Sequence, residues 1–179
     1  MTNLRIVLAL ILSSLALASL SAQVVKSDDM RNCPMHAQHT ADSHHSTVEE
    51  HGDQAMGFSH ETTTHHFRMA TDGGAIEVTA NDPADKASTE AIRTHLAHIS
   101  GLFAKGDFSD PMFIHDSLPP GVTTMKILKN KIGYQYEEIP SGGRVRIRSG
   151  DEVAVAGIHD FLRFQIAEHQ TGDSVDNPH

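Results

Sequence analysis

A short stretch of the chain, residues 56–67, concentrates side chains that can bind a metal ion. It holds three imidazoles within seven residues, from His60, His65 and His66, and it begins with the thioether of Met56. Neutral imidazole is the commonest metal ligand in proteins, and thioether sulfur biases a site toward copper. The stretch therefore predicts metal binding, with copper as the first candidate and zinc as the alternative, but it specifies no reaction.

The preceding segment, residues 23–55, carries a second set of possible ligands. They are one thiol, one thioether and a run of imidazoles, namely Cys33, Met35, His36, His39, His44 and His45. Thiolate and thioether ligands select Cu(I), and His-rich tracts are a compositional signal of metal binding. The few apolar residues follow no helical or strand period, so we predict a flexible arm. The arm either captures metal or is a polar segment in which the histidines have no special role.

Two parts of the sequence resemble known bacterial proteins. The Cys-Pro-Met-His run at residues 33–36 resembles the start of short heavy-metal-binding segments in copper and heavy-metal efflux systems. This resemblance implies metal binding by the arm. Residues 56–172 resemble a group of small exported proteins of undefined function, which share a Met-Gly-Phe…Thr-Thr-His-His-Phe segment and an end like residues 159–165. This second resemblance implies an exported protein.

The first 22 residues predict export. Arg5 precedes an apolar run over residues 6–20, and the small residues Ser21 and Ala22 follow it. A charged start, an apolar middle and a small-residue end are typical of a secretory signal peptide. The run is shorter than the about 20 residues of a spanning helix, so a cleaved signal is favoured and an uncleaved membrane anchor is the alternative. We therefore expect a periplasmic or secreted protein.

Charge and cysteine content limit the partners and the covalent structure. A formal net charge of −9 argues against a nucleic-acid partner, because phosphate binding requires a basic surface. The single cysteine, Cys33, excludes an intrachain disulfide. Its thiol can pair between chains, oxidise or bind metal. The fold must therefore be stabilised by packing.

Hydrophobic periodicity predicts one α+β domain over residues 56–172, followed by a disordered tail at 173–179. Alternating apolar residues predict strands, and apolar residues at helical spacing predict helices. The predicted elements are strands at 63–70 and 75–80, a helix at 85–105, a short helix at 122–130, strands around 132–136 and 145–147, and a helix at 151–170. The order ββα(α)ββα predicts a two-layer sandwich, in which a four-stranded antiparallel sheet of two hairpins carries the helices on one face.

Further candidate ligands lie in the middle of this domain. The first predicted helix carries His95 and His98, and the connection after it carries Met112 and His115. Strand alternation directs His65 toward the helix-covered side of the sheet. We therefore predict that the two groups of ligands meet at one edge of the sandwich. A Met/His site there would suit copper, and a three-His site with an open position would suit zinc.

Two more histidines, His159 and His169, lie on the final predicted helix. A single histidine beside an apolar stripe is more often a core or surface histidine than a metal ligand. Both are therefore interpreted as structural or solvated.

Three arginines alternate along the fourth predicted strand, at Arg144, Arg146 and Arg148. They point away from the apolar face and form a cationic stripe. Glu77 and Glu137 can lie on the same face of the sheet. We therefore favour cross-strand charge pairing over an anion-binding site.

Three functions are compatible with these features. The first is an exported metal-binding protein that captures copper, delivers it to an efflux or metallochaperone partner, or confers resistance. The second is a module that binds a protein or a small ligand, with an arm of no special role. The third is a metal-dependent enzyme, although the sequence contains no H-E-x-x-H, no G-x-S-x-G and no phosphate-binding loop. The content of ligand side chains favours the first.

Overall fold

A computed structural model describes the backbone of residues 34–176 and the side chains of residues 43–176. The predicted signal peptide at residues 1–22 and the thiol of Cys33 lie outside the described residues. The same holds for the side chains of Met35, His36 and His39. None of the helices in the described part of the chain is apolar enough over a sufficient length to span a membrane.

The predicted α+β sandwich is confirmed. Five α-helices in the described part are α1 Pro34–Met56, α2 Lys86–Lys105, α3 Ser109–Ile114, α4 Val122–Ile127 and α5 Glu152–Glu168. The strands are β1 Thr63–Ala70, β2 Gly73–Ala80, β3 Ile132–Ile139 and β4 Gly142–Ser149. They form one antiparallel sheet in the order β1-β2-β4-β3. A short 3-10 turn precedes each hairpin, at His60–Thr62 and at Lys129–Lys131.

The core lies between the sheet and the two long helices. Both helices begin at an aspartate, Asp85 for α2 and Asp151 for α5, whose carboxylate accepts hydrogen bonds from backbone N–H groups of the first turn. Each helix then buries an apolar stripe against the sheet. The buried stripe residues are Ile92, Leu96, Ile99 and Phe103 on α2, and Ile158, Leu162 and Ile166 on α5. The helical periodicity in the sequence therefore identified both core faces.

The domain contains two copies of one unit, which is a 3-10 turn followed by a hairpin and a long helix. The turn and both strands of the first copy recur 69 residues later, so that Thr63 at the start of β1 corresponds to Ile132 at the start of β3. The β2–β4 register is symmetric about the pair Ile76–Val145, and these two positions are equivalent in the two copies. An approximate two-fold axis therefore passes through this pair, and α2 packs mainly on β3 and β4 while α5 packs mainly on β1 and β2.

Helix α1 corrects the prediction of a flexible arm for the part of residues 23–55 that the structure describes. Val48 is buried, with 1% of its surface exposed. His51 stacks on Phe113 with ring centroids 4.8 Å apart, and its Nδ1 donates to the carbonyl of that residue. Because tertiary contacts rather than intrinsic propensity stabilise most protein helices, these few contacts suffice for a segment that has no apolar period of its own.

A second difference lies in the predicted connection between α2 and α4, which contains helix α3. Phe108 precedes α3 and is buried, and it stacks on Phe103 with ring centroids 4.5 Å apart. Within α3, Pro111 and Ile114 are buried. The helix is too short for an apolar period to be recognised in the sequence, and its burial against the core stabilises it.

Candidate metal site

The candidate site begins with a close contact between a sulfur and an imidazole nitrogen. Met56 is the last residue of α1, and its Sδ lies 3.2 Å from Nε2 of His65. His65 is the third residue of β1, and strand alternation turns it toward the helices together with the buried Phe67. The predicted orientation of His65 is thus confirmed.

A second imidazole, from His169 at the end of α5, lies next to this pair. Its ring is almost parallel to that of His65, with an interplanar angle of 8° and ring centroids 5.9 Å apart. The Phe67 ring packs against the His169 ring at a centroid distance of 5.6 Å. The backbone N–H of His169 donates to Gln165 O and closes the last turn of α5, which holds the imidazole in position.

Two cavities meet at these three side chains. The inner cavity has a volume of about 50 Å³ and a mainly apolar lining, to which His95 and Gln165 also contribute. The outer cavity has a volume of about 210 Å³ and lies between α1 and β1. Met56, His65 and His169 line both cavities. They therefore form the boundary between a polar outer chamber and an apolar inner one.

The two stacked imidazoles are neutral at physiological pH. Burial among apolar groups, followed by the charge of His95, lowers the pKa of His65 to about 4. Burial, followed by the charge of His65, lowers the pKa of His169 to about 3. A metal ligand must carry a free lone pair, and at neutral pH both rings meet this condition without losing a proton.

Charged and polar side chains surround the outer cavity. His60 donates from its backbone N–H to Asp53 Oδ1 at 2.7 Å, and its Nδ1 lies 3.0 Å from the same oxygen. Glu49 Oε1 lies 3.1 Å from His45 Nε2 and 3.7 Å from His60 Nε2. His44, one residue before His45, pairs with Glu168 at 2.6 Å. The outer chamber thus offers imidazole and carboxylate groups, which suit cations.

Of the candidate ligands in the middle of the domain, two lie near Met56, His65 and His169, and two do not. His95 lines the inner cavity, and burial lowers its pKa. His115 is buried with 2% of its surface exposed, and its ring lies perpendicular to that of His169 at 5.1 Å. Its Nε2 donates to Gln165 Oε1. His98 and Met112 are exposed on the surface and line neither cavity.

His66 lies on the opposite face of the sheet from His65, as its neighbouring position in β1 requires. Its Nδ1 lies 3.0 Å from Asp173 Oδ1. The same carboxylate accepts from the Phe67 N–H and from the Arg68 guanidinium, each at 2.9 Å. Asp173 belongs to the segment predicted as a disordered tail, and this prediction is wrong for that residue because the carboxylate fixes the chain to β1.

Replacing Asp173 by alanine is expected to lower the free energy of unfolding by about 2 kcal/mol, because the Phe67 N–H and the Arg68 guanidinium lose a buried acceptor. The measurement is urea unfolding followed by circular dichroism. Asp176→Ala, at an exposed position of the same segment, is the matched control and should leave the midpoint unchanged. Equal midpoints for both variants would show that Asp173 contributes nothing.

The expected charge pairing on the polar face of the sheet is confirmed for one arginine. Arg144 Nε lies 2.7 Å from Glu77 Oε1, and its Nη1 lies 3.4 Å from Glu137 Oε2. Arg148 donates to Gln135. These contacts assign Arg144 and Arg148 to pairing across the polar face of the sheet.

Sequence reasoning placed His169 among the structural or solvated residues, yet the structure brings it to Met56 and His65. A signal was present, because His169 follows Leu162 and Ile166 at helical spacing and so continues the buried face of α5. The carboxylates of Glu49 and Asp53 were also missed. These two residues and His45 are spaced four residues apart, which places all three on one side of a helix. The sequence did not predict a helix in this segment, so the shared side was not recognised.

The arrangement is an imidazole and thioether site rather than a preformed site of imidazoles and carboxylates. Within residues 43–176, no three His, Cys, Asp or Glu side chains lie close enough to hold one metal ion as they stand. The set that meets at the two cavities includes a thioether, which is a ligand of soft metals. Two imidazoles and one thioether are residue types that can bind a soft metal ion.

Comparison with known proteins gives no match. No protein-family model, curated protein sequence or solved structure is significantly similar to this chain. The site itself is therefore the basis for the function of this chain.

Proposed function

We propose that this protein is an exported metal-binding protein that captures copper and delivers it to an efflux or metallochaperone partner, with zinc as the alternative ion. The observation that carries the proposal is the 3.2 Å approach of Met56 Sδ to His65 Nε2 at the boundary of two cavities. Thioether and imidazole together favour copper over hard cations.

The observed separations fit coordination of one ion. An ion about 2.0 Å from an imidazole nitrogen and about 2.3 Å from a sulfur holds these two atoms roughly 3.2–4.3 Å apart. The Met56–His65 distance is 3.2 Å, so an ion between them requires only a small outward movement. Met56 has an unbranched side chain with three rotatable bonds, so this movement requires little free energy.

The outer cavity supports the capture step. It is lined by His45, Glu49 and His60, and it shares its deeper wall with the Met56–His65 pair. A cation attracted by the carboxylate can exchange ligands stepwise from the outer imidazoles to the inner thioether and imidazole. The metal-binding residues proposed for the arm, Cys33 and Met35 among them, precede α1 or lie in its first turn, upstream of this chamber along the chain.

Replacing Met56 by leucine is expected to weaken Cu(I) binding by at least about 10-fold, because replacing even a residue that only supports a metal ligand lowers metal affinity about 10- to 100-fold. The affinity for Zn(II) should change little. The reason is that leucine keeps the volume but removes the sulfur that favours the soft ion. The measurement is titration of the full chain with Cu(I) under anaerobic reducing conditions, and with Zn(II) in air, against competing chelators.

The matched control is Met112→Leu, because this methionine is exposed and lines neither cavity. A chain in which His36, His39, His44 and His45 are all replaced by asparagine measures the contribution of α1. Binding of the unchanged protein no tighter than that of a His-rich peptide would refute the proposed function. Equal Cu(I) affinity for Met56→Leu and Met112→Leu would place the site elsewhere.

A further inference from the structure

The two copies of the repeated unit place different side chains at equivalent positions. Met56 and Met125 each lie four residues before their 3-10 turn. His65 is the third residue of β1, and Tyr134 is the third residue of β3. Both copies thus have a methionine before the turn. At the third position of the first strand, one copy has an imidazole and the other has a phenol ring.

The long helices give a third equivalence. Their capping residues Asp85 and Asp151 lie 66 residues apart, because the connection after the second hairpin is three residues shorter. With the same spacing, Phe103 near the end of α2 corresponds to His169 at the end of α5. The Phe103 and Tyr134 ring centroids lie 5.9 Å apart, and the His169–His65 distance is also 5.9 Å.

The second copy shows what this position of the fold requires for packing. Met125 and Phe103 are buried there in the hydrophobic core, and Tyr134 packs against it. Apolar and aromatic side chains therefore satisfy the architecture. The first copy instead places two half-buried imidazoles there, and taking a polar ring out of water costs free energy unless it gains a partner. In the described part of the chain, the partner of His65 Nε2 is a sulfur, a weak acceptor.

We propose that Met56, His65 and His169 are the three ligands of a single Cu(I) site, formed in one copy of the repeat at the place where the other copy packs aromatic side chains. The proposal rests on the proposed function and adds the ligand set, including His169, and a stoichiometry of one ion for the folded domain. One sulfur and two nitrogens form a soft set of low coordination number, as Cu(I) requires.

The separation of the two rings agrees with this assignment, while their parallel stacking requires one ring to turn so that both nitrogens point to the ion. Two imidazoles that bind one ion through nitrogens about 2.0 Å from it have ring centroids roughly 5.5–6.4 Å apart. The observed distance of 5.9 Å between the His65 and His169 rings lies within this range. The inner cavity beside them has a mainly apolar lining, which keeps water from the ion and disfavours its oxidation to the harder Cu(II).

The experiment compares His65→Phe, His169→Phe and the double variant H65F/H169F with the unchanged full chain in Cu(I) titrations against a competing chelator. Phenylalanine copies the aromatic character of the second copy, and it omits the tyrosine hydroxyl because Tyr134 Oη is buried without a hydrogen-bond partner. Each single variant should lose at least about 10-fold in Cu(I) affinity, the lower limit for changes near a metal. The double variant should remain folded and melt at no lower temperature.

His98→Gln is the control, since this histidine is exposed and lines neither cavity. Histidine ring signals in NMR spectra, recorded with and without one equivalent of Cu(I), give a second readout, and those of His65 and His169 should shift together. If His169→Phe does not fold, His169→Asn replaces it and carries the same expectation.

The two proposals fail in different ways. No Cu(I) binding by the unchanged chain would refute the proposed function and this ligand set with it. Tight binding that persists in folded His169→Phe or His169→Asn, when Cys33, Met35 and the α1 histidines are also replaced, would overturn the ligand set alone. Binding of two or more ions to a chain in which Cys33, Met35 and the α1 histidines are all replaced would overturn the single site.

Discussion

Acidification from pH 6.5 to 4.5 is expected to lower the free energy of unfolding by about 4 kcal/mol, because the half-buried imidazoles of His65 and His169 each contribute up to about 1.4 kcal/mol per pH unit. The pKa of His65 is lowered to about 4 and that of His169 to about 3, chiefly by burial. In the unfolded chain both titrate near 6.5. The unfolded state therefore binds protons in this window that the folded state does not, so stability rises with pH through the window and is lost on acidification.

The groups around the two rings determine how steeply the free energy of unfolding falls on acidification. For His65 the charges of His95, His66 and His60 lower the pKa further, and Asp53 opposes them. For His169 the next contributions come from His65 and His115. A charge on one ring opposes protonation of the other ring. The folded state therefore disfavours protonation of either imidazole. A loss of about 4 kcal/mol approaches the whole stability of many domains, and we expect cooperative unfolding in mild acid.

The measurement is urea unfolding at several pH values for the unchanged chain and for H65F/H169F, without added metal. Other groups titrate in the same range, so the difference between the two profiles isolates the imidazoles. The variant should be less dependent on pH by about 4 kcal/mol over the two units, following the linkage relation. Parallel profiles would contradict the expectation and show that the two rings accept protons in the folded state.

Replacing Gly121 by alanine is expected to destabilise the protein by about 3 kcal/mol or more, which is the range of severe core and backbone defects. Gly121 caps the start of α4 with a φ of 80°, a conformation that L side chains rarely adopt. A Cβ atom there would lie 2.0 Å from Gly157 O and 2.9 Å from Phe161 N of helix α5. Both contacts are with backbone, so relief requires α4 and α5 to separate.

Gly101→Ala is the matched control for this variant. Gly101 is an exposed residue inside α2, and a Cβ atom there would meet nothing within 4 Å. Because alanine favours the helix over glycine by about 0.5–1 kcal/mol, this variant should be slightly more stable than the unchanged protein. The comparison is made by thermal unfolding and by urea unfolding. Equal stability of the two variants would refute the close approach of α4 to α5.

Most of the fold could be predicted from the sequence because its helices and strands show clear hydrophobic periodicity. The alternation in residues 63–70 and the helical stripe of Ile92 and Leu96 predicted their elements, and the structure confirms them. The two-residue hairpin connections also have local signals in turn-forming residues. What failed were segments whose structure depends on contacts with distant residues, such as α1 and the anchor at Asp173.

The candidate site could be predicted from the sequence only in part. Strand alternation directed His65 to the helix-covered side, and the structure places Met56 against it. Proximity in sequence misled for His66, which lies on the other face and pairs with Asp173. His169 is more than one hundred residues from His65 in the chain, so no local pattern could bring the two rings together.

Residue types identified most of the candidate ligands and hydrophobic periods predicted the α+β class, because both are local properties of the sequence. Only the tertiary structure shows which of the candidates lie together, and it adds His169 to them. Helix α5 packs on β1 and β2 and so delivers His169 to His65, while the end of α1 delivers Met56 to the same place. The approximate two-fold repeat also emerged only in three dimensions, since apolar core positions tolerate exchange of one residue for another and leave little sequence identity between the copies.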